Sequence, residues 1–182
     1  QWWESFTHGD WTVTLTPTRH WGARVLRDEH RGYGGFILEH QGRRIFHAGD
    51  IYVSSVLDEL EEIAPITVVR GDDDVLRDPR VEEKVVMEIE GLKIGIIHRF
   101  HGLYFLWGVE QGMDNQFGCP VDVVVFGDTH SALVKRYQKD GVQALLVNPG
   151  SPLLHNYFHR LGSVGLLEIK DGKAEARIVE LK

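Results

Sequence analysis

The chain is poor in cysteine, in positive charge and in long apolar runs. Its single cysteine, Cys119, excludes a disulfide framework and any thiolate zinc cluster. With 20 Lys and Arg against 27 Asp and Glu, the formal net charge is −7. That balance argues against a nucleic-acid binder, which needs a basic face to neutralise phosphates. It argues equally against a polybasic membrane patch. No apolar run approaches the roughly 20 residues of a membrane span. No signal-peptide pattern opens the chain, so a cytoplasmic location is expected. Internal repeats and low-complexity tracts are also missing. What is present is an ordinary soluble composition, 42% hydrophobic and 26% charged over 182 residues. That length suits a single domain, residues 1–182, able to bury a core without staples. Ten histidines beside the acidic residues are the one compositional hint of metal chemistry.

The first 50 residues read as mostly β. Trp11, Val13 and Leu15 alternate with threonines up to Pro17, the pattern of a half-buried strand. Gly34-Gly35 leads into a second strand, and His40-Gln41-Gly42 turns it into a third, Arg44 to His47. Beyond Gly49-Asp50 the pattern changes. Ser54 or Ser55 can cap a helix whose apolar face is Val56, Leu57, Leu60 and Ile63, with Glu59 as capping partner. Ile66 to Val69 suits a strand covered on both faces. Val85 to Ile89 and Leu92 to Ile97 flank Glu90-Gly91 as a hairpin, and Leu103 to Met113 is expected to be helical. Val121 to Phe126 reads as another buried strand. Two further hairpins turn at Lys139-Asp140-Gly141 and at Asp171-Gly172. Early strand–helix–strand order followed by hairpins implies an α/β fold with a mixed sheet.

Four loops carry oxygen or imidazole donors, each directly after an apolar strand: Gly49-Asp50, Gly71 to Asp74, His98 to Gly102, and Gly127 to His130. Strand ends are where ligands converge in α/β folds. Mixed carboxylate and imidazole donors suit Mn²⁺, Zn²⁺ or Fe. Two such ions a few ångströms apart activate a bridging water and clamp a phosphoryl group for in-line attack. A strand-end carboxylate can bridge them because it has two acceptor oxygens.

The segments HAGDI at 47–51, RGDDD at 70–74, GIIH at 95–98, FGDTH at 126–130 and VNPGSP at 147–152 occur in this order. From about His47 onward the chain thereby resembles the calcineurin-like metallophosphoesterases, in the small phosphodiesterase branch related to the retromer subunit of that fold. The resemblance implies a four-layer αββα sandwich and two divalent ions, Mn²⁺ first, with Zn²⁺, Fe or Ni²⁺ as alternatives. It implies a bridging role for Asp50 and ligand roles for Asp72, His98, Asp128 and His130. Asp74 matches the aspartate that closes the family's second motif. Two positions depart from the family pattern: Asp72 stands for an asparagine, and Asp128 for the first histidine of G-H-T-H. Each adds negative charge, favouring cations and opposing a phosphate anion.

The family's opening D-x-H strand is absent. Residues 1–50 instead resemble the metallo-β-lactamase fold, in its N-acyl-phosphatidylethanolamine phospholipase D-like branch. The matching segments are WWES at 2–5, VTLTPTRHW at 13–21, GGFILE at 34–39 and RRIFHAGD at 43–50. That resemblance points to His20 and, again, to Asp50 as metal ligands. Residues 1–46 are therefore expected to replace the usual first strands, with 47–182 as the metallophosphoesterase-like core. The functional expectation is a metal-dependent phosphodiesterase in which a metal-bound hydroxide attacks phosphorus. Its substrate would be a small phosphoester, with neither nucleic acid nor membrane as partner. The alternatives are a binding scaffold on an impaired site and, last, a metallo-β-lactamase-type hydrolase. His101 is a candidate proton donor, and the turn at Asn148 to Ser151 is expected to support the site structurally.

Overall fold

The structure, a computed structural model, describes residues 5–8, 11–17, 34–40, 43–47, 54–62, 66–71, 77–103, 108–139, 141–151 and 162–180. The chain forms two compact units, Gln1–Val81 and Glu82–Lys182.

The first unit holds a four-stranded antiparallel meander, β1 (Ser5–His8), β2 (Trp11–Pro17), β3 (Gly34–His40) and β4 (Arg43–His47), in that spatial order. The alternating stretch expected at Trp11 to Pro17 is β2. The β3–β4 hairpin pairs Phe36 with His47 and His40 with Arg43. The helix α1 spans Ser54–Glu61 and buries Leu57 completely. The expected strand at Ile66 to Val69 shortens to β5 (Val68–Val69), which pairs with β6 (Val81–Glu82), where the first unit ends. An ion-pair cluster ties α1 to the segment before β6. Arg80 reaches Asp58 at 2.9 Å and Glu61 at 2.8 Å on the helix, and Asp78 at 2.6 Å. Hydrogen bonds from Arg80, and one from the Ser54 hydroxyl, hold the Asp78 carboxyl far below its ordinary pKa.

The second unit is built on a five-stranded mixed sheet in the order β10-β11-β9-β8-β7. Its strands are β7 (Lys84–Ile89), β8 (Leu92–Ile97), β9 (Val123–Val125), β10 (Leu133–Lys139) and β11 (Val142–Asn148). The β7–β8 hairpin closes at Glu90-Gly91 with φ of 51° and 80°. Positive φ at both turn residues is the tight hairpin turn that matches strand twist. The final hairpin, β12 (Ser163–Lys170) with β13 (Lys173–Glu180), closes the same way at Asp171-Gly172, with φ of 51° and 68°.

Side-chain alternation on the sheet divides the core. Val124, Ala144, Leu146 and Phe126 face helix α2 (Gly108–Phe117) and pack with Phe100, Val109, Met113 and Phe117. Ile94, Val123, Leu145 and Val147 face the other way and pack against Leu167, Ile169, Ala174 and Ala176 of the last hairpin. One face of the sheet is thus covered by a helix and the other by a second β layer.

The helix expected from Leu103 to Met113 is displaced. His101–Leu103 is a single 3₁₀ turn, and α2 runs from Gly108 to Phe117. Gly108 has φ +78°, which no helix interior accommodates, so it stands at the start. Gly118, at φ +77°, ends the helix by donating its N–H to Asp114 O at 2.9 Å, a left-handed glycine cap. Helix α2 approaches the sheet and the 3₁₀ turn closely where side chains are missing: a Cβ on Gly95 would lie 2.8 Å from the Phe117 ring, and one on Gly112 would lie 2.5 Å from Gly102 Cα. Among the described residues no helix is long and apolar enough to cross a membrane.

Candidate metal centre

Strands β8, β9 and β11 run parallel to one another, with Ile96 beside Val125 and Val125 beside Val147. Their C-terminal ends therefore share one edge of the sheet. The residues that follow are His98 after β8, Asp128 and His130 after β9, and the Asn148 to Ser151 turn at the end of β11. Three of the predicted ligands, His98, Asp128 and His130, are thus brought to a single edge by adjoining loops. His20, Asp50 and Asp72, with Asp74, lie outside the described residues.

The loops are laced together. Gly127 N–H donates to His98 O at 2.8 Å, fixing the β9 loop to the β8 loop. Thr129 N–H donates back to Gly127 O at 2.8 Å across Asp128, whose φ is +67°. That is a γ-turn of the rare positive-φ kind, and His130 follows with φ +55°. Asp and His tolerate the left-handed region better than most residues. Asn148, fully buried, bonds from below: its Nδ2 donates to Gly127 O and to Thr129 Oγ1, both at 3.0 Å, and its Oδ1 accepts from Gly150 N–H at 2.9 Å. Ser163 Oγ then donates to Pro149 O at 2.8 Å. The expected supporting role of this turn is realised through Asn148.

The electrostatics turn on a residue that sequence reasoning passed over. Arg99 grips Asp128 with two parallel bonds, Nε to Oδ2 and Nη2 to Oδ1, each 2.8 Å. The Arg99 hydrogen bonds hold the Asp128 carboxyl below its ordinary value of 3.8, with the charges of Arg99, His98 and His130 adding to the effect. His98 Nε2 lies 3.9 Å from Asp128 Oδ1. The backbone of this loop is clamped by Gln116 of α2, which donates to Arg99 O at 2.8 Å and accepts from His101 N–H at 2.7 Å. Arg99 left no local signal, because it stands 29 residues from Asp128 in the sequence. Gln116 left no local signal, because it comes from a helix 15 residues away from His101.

His98 and His130 suit a borderline divalent ion as imidazole donors. Asp128 is an oxygen donor with both oxygens already engaged. Among the described residues no three His, Cys, Asp or Glu side chains are disposed to hold an ion.

Residues 30–172 match the calcineurin-like phosphoesterase superfamily domain. The chain belongs to this superfamily. The superfamily match begins upstream of His47, where the sequence motifs start, and takes in β3 and β4. The calcineurin-like chain is 34% identical over 145 residues to a probable metallophosphoesterase of Methanocaldococcus jannaschii, covering 76% of this chain and 66% of that one. It is 31% identical over 137 residues to a probable metallophosphoesterase of Methanothermobacter thermautotrophicus, covering 74% of each. Among solved structures it is similar to a Thermotoga maritima protein determined by solution NMR, with TM-score 0.54 and 25% identity, covering 73% of this chain and 77% of that one. The mixed α/β fold with a mixed sheet is that of the superfamily, as the sequence motifs implied.

Proposed function

We propose that the protein is a metal-dependent phosphoesterase of the phosphodiesterase type, acting on a small phosphoester in the cytoplasm without a nucleic-acid or membrane partner. The observation that carries this reading is the convergence of His98, Asp128 and His130 on one sheet edge in a chain of phosphoesterase family. His98 and His130 would supply imidazole nitrogens to a divalent ion. The motifs nominate Asp50 as the bridging carboxylate, with Asp72 and, from the front segment, His20 as further donors. They anticipate two ions, Mn²⁺ ahead of Zn²⁺, Fe or Ni²⁺. In this reading residues 1–46 replace the usual first strands. Bound ions would activate water and neutralise charge on the phosphoryl group. The protein's own part would be to hold the loops that carry the imidazoles, supported by the γ-turn and the Asn148 bonds, and to fix a guanidinium beside them through Asp128.

The test is hydrolysis of bis(p-nitrophenyl) phosphate by the full chain with each of the four metals in turn. Turnover stimulated by Mn²⁺ and abolished by Asp50→Ala, His98→Ala or His130→Ala supports the reading. No turnover with any of the metals overturns it. A second reading, a non-catalytic scaffold, is favoured by one observation: the Asp128 carboxylate is committed to Arg99.

A further inference from the structure

We infer that the Arg99–Asp128 pair occupies the place of one metal ion, so that this chain holds a single divalent ion where its motifs anticipate two. The inference rests on the metal-dependent reading above and changes its stoichiometry.

Asp128 stands at a position where the motif pattern has a metal-binding histidine, yet both of its oxygens accept from the Arg99 fork at 2.8 Å. Two parallel charge-assisted bonds form the strongest and most directional arrangement that a carboxylate makes with a side chain. Neither partner is loosely placed. The Arg99 backbone is held by Gln116, and Asp128 sits in the γ-turn closed by Thr129 N–H. The Asp128 side chain is 20% exposed, so water reaches the pair only in part. A dication approaching Asp128 meets a neutral pair, with the guanidinium beside the very oxygens it would coordinate. An unpaired carboxylate there would attract the ion; the pair removes that attraction and adds like-charge repulsion. Arginine keeps its charge at every working pH, so deprotonation does not relieve the repulsion. The fixed cation is half-exposed, at 47%, and lies one residue from His98, an imidazole donor for the remaining ion.

The experiment is a calorimetric titration of chelator-stripped full chain with Mn²⁺, and separately Zn²⁺, with bound metal confirmed by elemental analysis after dialysis. Wild type is expected to saturate at one equivalent per chain. Arg99→Ala frees the carboxylate and is expected to admit a second equivalent. The double variant Arg99→Gln with Asp128→Asn, which removes both charges together, is expected to keep one equivalent with affinity within about threefold of wild type. Circular dichroism verifies that each variant is folded, and the double variant alone suffices if Arg99→Ala is not. Two equivalents in wild type overturn this inference and leave the phosphoesterase reading standing. A tenfold or greater loss of affinity in the double variant also overturns it, because with both charges removed the loss makes Asp128 a ligand. No binding in wild type overturns the metal-dependent reading itself, and this inference with it.

Discussion

Replacing Asn148 tests whether the site edge is held from beneath. The side chain is fully buried and makes three hydrogen bonds, two donated and one accepted. Truncation in Asn148→Ala removes all three, at a net of about 1 kcal/mol each. It also strands the buried Gly150 N–H, which costs a further ~1–3 kcal/mol, whereas the half-buried Gly127 and Thr129 can recruit water. The sum is about 4–6 kcal/mol, a large part of the roughly 5–15 kcal/mol that a native protein has. Asn148→Asp is the sharper probe because its volume is unchanged. The new carboxylate still accepts from Gly150, but it turns an oxygen toward Gly127 O where an amide had donated. Burial among acceptors raises the carboxyl's pKa in the folded state above its unfolded value of about 3.9. A group shifted upward gives its stability below the unfolded pKa and loses it as pH rises through the folded one. The aspartate variant should therefore lie close to wild type near pH 4 and fall behind it by about 2–4 kcal/mol at neutral pH. Urea unfolding followed by circular dichroism across that range measures the gap. A variant within 0.5 kcal/mol of wild type at both ends, roughly the scatter of an inert surface change, would refute the account of Asn148 as the tie beneath the loops.

Other outcomes follow from the geometry. Gly112→Ala gains about 1 kcal/mol in helix propensity, yet should destabilise the second unit, because its Cβ would sit 2.5 Å from Gly102 Cα; overpacking of this kind costs about 1–3 kcal/mol or more, and a lowered urea midpoint is the readout. Arg80→Ala should lower stability at neutral pH by releasing Asp78, Asp58 and Glu61. Since the Asp78 carboxyl is depressed below 3.8, the difference from wild type is complete above that pH and shrinks as acid carries the solution down toward the folded pKa; midpoints compared in a pH series check the sign. Gln116→Leu, which releases the backbone of Arg99 and His101, should lower turnover on the phosphodiester substrate while leaving the far-UV spectrum unchanged. His130→Ala should weaken Mn²⁺ binding at least tenfold by titration, since even outer partners of a ligand are worth about that much.

Much of this architecture was legible in the chain because its signals are local. Glu90-Gly91 and Asp171-Gly172 announce hairpins since a turn with two positive-φ residues admits few other pairs. The buried-type run at Val123 to Val125 is central because both of its faces are covered, by α2 on one side and the last hairpin on the other. Where the sequence misled, two signals competed. The apolar residues around Leu103 suggested an early helix, but Gly108 in a left-handed conformation delays it. Strand β1 carries no alternating pattern of its own and exists by pairing, Ser5 with Thr14 and His8 with Trp11. At the site, His98, Asp128 and His130 were visible from motif and strand-end position. The Arg99 fork was not, because residue types at strand ends do not say which side chains face one another. His20, Asp50 and Asp72 rest on sequence alone.

The parallel run of β8, β9 and β11 has a practical corollary. All three strands begin at the margin opposite the imidazoles, and Glu90-Gly91 and Gly141 sit on that far margin. The candidate ligands His98, Asp128 and His130 and these two hairpin turns thus lie on opposite rims of one sheet. A reporter or tether grafted at Gly141 would leave the front rim's lacing untouched, which suits the chain to fusion and surface immobilisation.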